Sequence, residues 1–510
     1  MPLNDSVGWR RWPSNAVTVL AALVLISGCA VGPNFRPPAA PVLTAYTRPS
    51  FSAKTTSADT LGGEEQRFLL DQDLPGEWWT LLGSPPLNAL MAKAIEANPT
   101  LVAAESALRQ ARELYFAGQG HFYPTVQASF SASRQKATAA LSPPLSGPEL
   151  SFDLYSTLGT LSYALDIFGG IRRQVESLGA TLEGQRFQLE AVYLTLTSSV
   201  VSAAIQEALL RAQIAATQEI IDISARSLAL FRRQFELGAA ARLDVAAQEA
   251  ALAQVQQTLP PLQKQLEQTR NLLAALSGRF PSEGPAERFE LASLRLPQDL
   301  PVSLPSTLVT RRLDVRVAET QLQAASAQVG VVLSARLPQV TIAASAGGTA
   351  TAFAQMFANG NPFWTIAGNI AHTIFDGGTL LHQQRAAEAA FEQSAAQYRT
   401  TVIGAFQNVA DALYALQADA ETLKAAVAAE QATKTTLDIT TEAQRLGAVN
   451  YLAVLSAQQA YRQALLARAQ AQAARLSDTV TLFQAVGGGW WNRPELGAAP
   501  TSARSSERAR

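Results

Sequence analysis

Two periodicities take turns along this chain. Over Thr125–Ser133 polarity flips at every residue. Val126, Ala128, Phe130 and Ala132 fall on one face, and Thr125, Gln127, Ser129, Ser131 and Ser133 on the other. A period of two marks an extended strand with one apolar and one polar side. Phe152–Phe168 predicts a second, longer strand whose apolar phase changes near Gly159, where a bulge would re-aim the side chains. Val340, Ile342, Ala344 and Ala346 predict a third strand in the phase of the first, and Trp364, Ile366, Ile370 and Ile374 a fourth. Loops over 134–150 and 351–361, with Pro, Gly and Asn, join the strands of each pair.

After each strand pair the period becomes helical. Leu189, Leu196, Ala203 and Leu210 recur at heptad spacing, as do Ile214, Ile221, Leu228 and Phe235. Val402, Val409, Leu416 and Leu423 repeat the pattern later. Heptads place apolar side chains along a helix–helix seam. No proline falls between Pro148 and Pro260, or between Pro362 and Pro494. A continuous helix from Gly170 to Phe235 would be about 100 Å long. Leu237-Gly238 and Leu446-Gly447 then predict helix C-caps and tight reversals. Returning helices are expected over 243–277, interrupted at Pro260-Pro261, and over 450–486.

The pattern occurs twice. Ala104-Glu105 leading to Pro124-Thr125-Val126 returns as Ala318-Glu319 leading to Pro338-Gln339-Val340. Ile167-Phe168-Gly169-Gly170 returns as Ile374-Phe375-Asp376-Gly377-Gly378, and Leu237-Gly238-Ala239 as Leu446-Gly447-Ala448. A constant spacing of roughly 210 residues implies one duplicated structural unit. The organisation expected is a signal peptide at 1–28, a linker and anchor segment at 29–85, repeats at 86–290 and 291–491, and a disordered polar tail at 492–510. Within the repeats, strands are placed at 124–133, 151–168, 338–348 and 362–375. Helices are placed at 98–121, 170–235, 243–277, 312–335, 378–446 and 450–486.

The N-terminus changes the picture. Arg10 and Arg11 precede an apolar stretch from Ala16 to Ile26, which is too short to span a bilayer. Ile26-Ser27-Gly28-Cys29 then resembles a bacterial lipobox, with cleavage before Cys29 and lipids on that residue. Ala30 in place of aspartate implies, by resemblance, sorting to the outer membrane. Several acyl chains anchor stably where one anchors marginally. Cys29 is the chain's one cysteine, so no intramolecular disulfide forms. No other apolar run is expected to reach transmembrane-helix length, so any further crossing of a membrane must use strands. Four strands do not close a barrel, and strands from several protomers must combine.

Chemistry is sparse. A net charge of −1 gives no electrostatic case for nucleic acid. His121, His372 and His382 lack metal-ligand spacing. No phosphate-binding glycine loop and no nucleophile elbow occurs, so no enzyme is expected. Asp166 and Asp376 sit at strand-to-helix joins and are expected to cap helices.

The lipobox is followed in order by Trp78-Trp79, Leu81-Leu82-Gly83-Ser84-Pro85-Pro86-Leu87, Asn98-Pro99 and Asp166-Ile167-Phe168-Gly169-Gly170. Then come Arg445-Leu446-Gly447 and Val486-Gly487-Gly488-Gly489-Trp490. This order resembles the outer membrane efflux proteins, the TolC-like family, in its OprM/NodT-type lipoprotein branch. The resemblance implies a membrane α+β fold and a homotrimer in which about twelve strands close one outer-membrane β-barrel above a periplasmic α-helical barrel. It also implies a periplasmic membrane-fusion adaptor and an inner-membrane pump, usually of the RND class, with this chain as a passive exit duct gated at its periplasmic tip.

By the same resemblance, Leu237, Gly238, Arg445, Leu446 and Gly447 are turns that meet the adaptor. Leu452 stands where relatives carry a constricting leucine. Ser456 stands where they commonly carry an acidic gate residue, and Gln459 where an arginine latches it, so the chain departs at both. Asp244, with Arg242 two residues before it, is the remaining acidic candidate at the tip. A lipid-anchored periplasmic coiled-coil scaffold without a pore would explain the heptads but not strands found twice in phase. Drug efflux and secretion of a dedicated product, such as a signalling oligosaccharide or a siderophore, stay open.

Overall fold

The computed structural model describes residues 30–43, 45–47, 52–136 and 151–493. The expected signal peptide, Cys29, most of the first hairpin loop and the tail from residue 494 lie outside the described residues. In chain order the elements are β1 (Arg67–Leu70), α1 (Pro85–Ala97), α2 (Pro99–Gln119), β2 (Thr125–Lys136), β3 (Ser151–Leu165), α3 (Gly170–Glu236) and α4 (Arg242–Leu276). Then follow β4 (Asp299–Val302), α5 (Pro305–Arg311), α6 (Leu313–Ala335), β5 (Gln339–Ala350), β6 (Pro362–Ala371), α7 (Thr379–Arg445) and α8 (Tyr451–Ala485). The two halves match in length: α3 and α7 have 67 residues each, and α4 and α8 have 35 each.

The chain divides into two compact units. The first holds 108–184 and 318–398 with the residues up to Pro37; the second holds 38–107, 185–317 and the chain from 399 on. In the first unit β2-β3-β5-β6 form one antiparallel sheet, in that order. Directly paired residues share a face. Val126 pairs with Leu161, Leu161 with Ala344, and Ala344 with Ile366. The adjacent row is Gln127, Thr160, Ser345 and Thr365. Four separate alternations therefore add up to one apolar and one largely polar face. The apolar face is exposed at Val126, Phe130, Trp364, Ile366 and Ile370.

No bulge occurs at Gly159. β3 pairs with β2 and with β5 without a skipped residue. Its phase change is met instead by placing Phe152, Leu154 and Leu158 on the otherwise polar face. A strand bonded on both sides has its register fixed by two ladders, and an extra residue would disrupt both. Where strands give way to helices, Asp166 caps α3 by accepting from the amides of Ile171 (2.9 Å) and Arg172 (3.0 Å). Asp376 accepts from those of Gly378 and Leu380, both at 2.8 Å. The Leu380 and Gly378 amides hold the Asp376 carboxyl below its ordinary range.

In the second unit the seam residues Val402, Val409, Leu416 and Leu423 of α7 are buried. α3 carries an 18-residue window of mean hydropathy 1.2, against the expectation from sequence, and 56% of it is buried by packing inside the protein. Pro260 and Pro261 do not interrupt α4, which runs through both. The carbonyls they leave unbonded, on Gln256 and Gln257, lie along an exposed stretch where water can replace the lost donors.

α8 has a different seam. Tyr451, Gln458, Leu465, Gln472 and Thr479 recur at heptad spacing and are all buried, yet most are polar. Buried polar groups need partners. Gln472 Nε2 donates to Leu61 O at 2.8 Å, and Thr479 Oγ1 accepts from Gln66 Nε2 at 3.0 Å. Arg475, 1% exposed, donates to Gly62 O (2.8 Å), Glu64 O (2.9 Å) and Gln66 Oε1 (3.1 Å). The extended segment from Thr55 to Gln66 is thereby strapped to α8. Further along, Gly487, Gly488 and Gly489 all take left-handed φ (106°, 71° and 70°), a turn that lets Trp490 Nε1 reach Arg311 O at 2.8 Å.

A buried ion cluster ties α3 to α4. The fully buried Glu207 receives Arg211 at 2.6 Å and Arg270 at 3.3 Å. Removing the shared carboxylate leaves two guanidinium groups uncompensated, so Glu207→Ala is expected to cost about 3 kcal/mol. Thermal unfolding of the purified protein in detergent checks this. A loss below about 1 kcal/mol would mean that the arginines find other partners.

Candidate functional site

The two long hairpins end in the same way. α3 closes with a left-handed Gly238 (φ 75°), and α7 with a left-handed Gly447 (φ 75°). Gly238 N–H donates to Phe235 O (2.9 Å) and Ala239 N–H to Gln234 O (2.8 Å). Gly447 N–H donates to Gln444 O (3.0 Å) and Ala448 N–H to Ala443 O (2.9 Å). This bond pair satisfies the last carbonyls of each helix, and it requires a residue comfortable at positive φ. Leu237-Gly238 and Leu446-Gly447 are therefore C-caps, as the sequence implied.

Capping does not explain the leucines. Leu237 is 68% exposed and Leu446, its counterpart, 69%. Leu243 and Leu452, at matching places on the returning helices, are also exposed. Isolated exposed apolar residues are ordinary, but the same set presented twice at hairpin ends is a patch. Charged residues flank it. Arg445 forks onto Glu442 at 2.6 and 2.9 Å, and Arg233 reaches Glu236 at 3.0 Å. The Arg445 bonds hold the Glu442 carboxyl below its ordinary range.

The candidates from sequence separate into two groups. Leu452, Ser456, Gln459 and Arg242 are exposed on the hairpin ends. Asp244 is half-buried, and its Oδ2 accepts from Ala241 N–H at 3.2 Å. Its carboxylate therefore caps α4 rather than pairing with Arg242, whose side chain at i,i+2 points elsewhere. In the second hairpin Asn450 fills the capping role, accepting from Ala453 N–H at 3.2 Å.

Beside this patch lies a polar ladder that sequence reading missed. The Tyr451 hydroxyl on α8 bonds Gln248 Oε1 on α4, and Gln248 Nε2 donates to Ser224 O on α3 at 2.7 Å. The Tyr451 ring stacks edge-on against Phe231 at 4.4 Å. Gln458 Nε2 donates to Ser227 Oγ at 3.1 Å, and the Tyr461 hydroxyl donates to Glu219 Oε1 at 3.3 Å. Burial, and then the Asp244 charge, push the Tyr451 hydroxyl up to about 12. It stays a neutral donor throughout the physiological range. A cavity of about 120 Å³ opens between Ser224 on α3, Thr258 on α4 and Gln459 on α8. Gln458 Oε1 and Arg462 Nε line it, buried without a protein partner. The available signal was the heptad itself: Tyr451, Gln458 and Gln472 keep seam spacing without apolar character.

Comparison with known proteins identifies what such hairpins belong to. The model of the outer membrane efflux protein family matches residues 90–279 and 304–488. The pyoverdine export outer membrane protein OpmQ of Pseudomonas putida is 31% identical over 423 residues, covering 82% of this chain and 89% of that protein. The toluene efflux pump outer membrane protein TtgC of Pseudomonas putida is 28% identical over 470 residues, covering 92% and 94%. Among solved structures, the outer-membrane channel OprN superposes with a TM-score of 0.81 at 26% identity, over 91% of this chain and all of that one. The open state of the MtrE outer membrane channel of Neisseria gonorrhoeae gives 0.76 at 25%, over 91% and 99%. Family members form trimers and work with an adaptor and an inner-membrane pump. With its duplicated strand pairs and long helical hairpins, this chain belongs to the outer membrane efflux protein family and is an outer-membrane efflux channel.

Proposed function

We propose that this chain is the passive exit duct of an RND-type tripartite system, a lipid-anchored homotrimer that carries out no chemistry and is gated at its helical tip. The observation that carries the reading is one protomer joining an exposed apolar sheet face to two hairpins with matched exposed leucines. β2 and β6 are the edge strands of that sheet, and in lipid an open edge must be paired. Three copies supply about twelve strands, enough for a barrel. Lipids on Cys29 hold the trimer in the outer membrane.

The turns Leu237-Gly238 and Arg445-Leu446-Gly447 meet the periplasmic adaptor, with the leucines as apolar contacts and the arginine–glutamate pairs as a polar rim. The printed functions of the relatives OpmQ (pyoverdine export) and TtgC (toluene efflux) support small organic molecules as the substrates of this chain. Selection among them belongs to the pump.

The gate of this chain is apolar rather than acidic. Ser456 carries no charge, and Asp244 is committed to a cap. Leu452 is left to narrow the tip. The Tyr451–Gln248–Ser224 ladder holds α8, and with it Leu452, against α3 and α4.

Deletion with plasmid complementation is expected to sensitise cells to several dyes, detergents, solvents and antibiotic classes. Sensitisation to none, with loss of one secreted product, would mean dedicated export. In planar bilayers Leu452→Ser is expected to raise single-channel conductance severalfold over wild type, whereas an acidic gate would leave it unchanged. Tyr451→Phe strands the buried Gln248 carbonyl at a cost of about 1–3 kcal/mol. It is expected to raise the open fraction without changing the fully open conductance. An unchanged open fraction would remove the ladder from gating.

A further inference from the structure

We propose that Asp419 on α7 and Asp478 on α8 form a proton-sharing latch, closed while one proton lies between them and loosened when it leaves. The two carboxyl groups are within hydrogen-bonding reach of each other across the α7–α8 hairpin. Carboxylates only accept, so two of them facing at this distance bond only if one is protonated. Asp419 Oδ2 is sealed from solvent and has no other partner. A shared proton gives the two carboxyl groups a hydrogen bond that a pair of carboxylates cannot make.

The surroundings favour holding that proton. On one side the hairpin is closed by the apolar cluster of Leu423, Ala426, Val427 and Ala471, with Ala58 of the strap against it. Arg475 on α8 is a cation acting on the pair; its Nη1 and Nη2 bond the strap at Gly62, Glu64 and Gln66, and its Nε is buried without a partner. On the other side Asp478 lines a cavity of about 650 Å³ with Asp411 of α7 and with Asp314 and Arg312, which gives protons a route. α3 contributes only the uncharged Ala191, Leu194 and Thr195 to that cavity. The charged groups around the pair are therefore Arg475 with the strap's Glu64 beside it, and, around the cavity that Asp478 lines, Asp411, Asp314 and Arg312.

Burial first, then the bond to Asp478 and its charge, push the Asp419 carboxyl from 3.8 up to about 7, while Arg475 draws it back in part. The folded protein thus keeps this proton over a range in which the unfolded chain has released it. Stability from the pair is fully present at pH below 3.8, declines as pH rises toward about 7, and is gone above that. Acid conditions tighten the α7–α8 hairpin and neutral or alkaline conditions loosen it. The latch is independent of the tip gate, and neither measurement below reads transport.

Thermal midpoints of the full-length protein in detergent, followed from about pH 5 to about pH 9, test the latch in wild type, Asp419→Asn and Asp478→Asn. An asparagine amide donates to the remaining carboxylate at every pH. The decline through neutrality is therefore expected in wild type and lost in both variants. The same decline in all three would overturn the latch. If a variant does not fold, infrared difference spectra of wild type decide. A protonated carboxyl band titrating near neutrality supports the latch, and no protonated carboxyl at about pH 6 sinks it.

Discussion

An antiparallel sheet with an apolar outer face and open edges is unstable alone in lipid. Every unpaired amide or carbonyl on β2 or β6 would sit in hydrocarbon with nothing to bond. The fold follows from that constraint. The strands must be completed by other copies. The short repeat, two strands and a hairpin, suffices because duplication within the chain and assembly between chains multiply it.

The helical part meets a second constraint. Alanine-rich helices approach closely but bury little apolar area per residue, so sliding one past another costs little. The polar seam of α8 answers this. Gln458 matches Ser227, Gln472 matches Leu61, and Arg475 matches the carbonyls of the strap. Each bond exists in one register only, and a slip would leave buried donors and acceptors unpaired. The strap from Thr55 to Gln66 is thus part of the α8 packing rather than a free tether. Asp478 stands on the same helix, and the proton we propose it shares with Asp419 of α7 adds to the groups that fix its register.

At the tip, two demands fall on the same few residues. Gly238 and Gly447 must take left-handed backbone for the reversals to close, while the neighbouring leucines gain nothing from the protomer's own core. Residues of the first kind are explained by the fold. Residues of the second kind are not explained by the protomer's own packing.

Much of this was legible in the sequence. A period of two with Ser, Thr and Gln opposite Val, Phe and Ile can only be a strand with two unlike faces. Heptads without proline can only be long helices, and Leu-Gly before a new heptad marks the reversal. These signals are local, set by side-chain direction and backbone freedom, so they survive without tertiary context. Gly159 and Pro260-Pro261 were misread because a local disturbance does not reveal what surrounds it. Ladders on both sides kept β3 in register, and an exposed flank let α4 run through its prolines. The buried partners of Tyr451, Gln458 and Arg475 were decided only by tertiary structure. A polar residue at a seam position says that it must find a partner, but not which residue, some 200 or 400 positions away, the fold will bring to it.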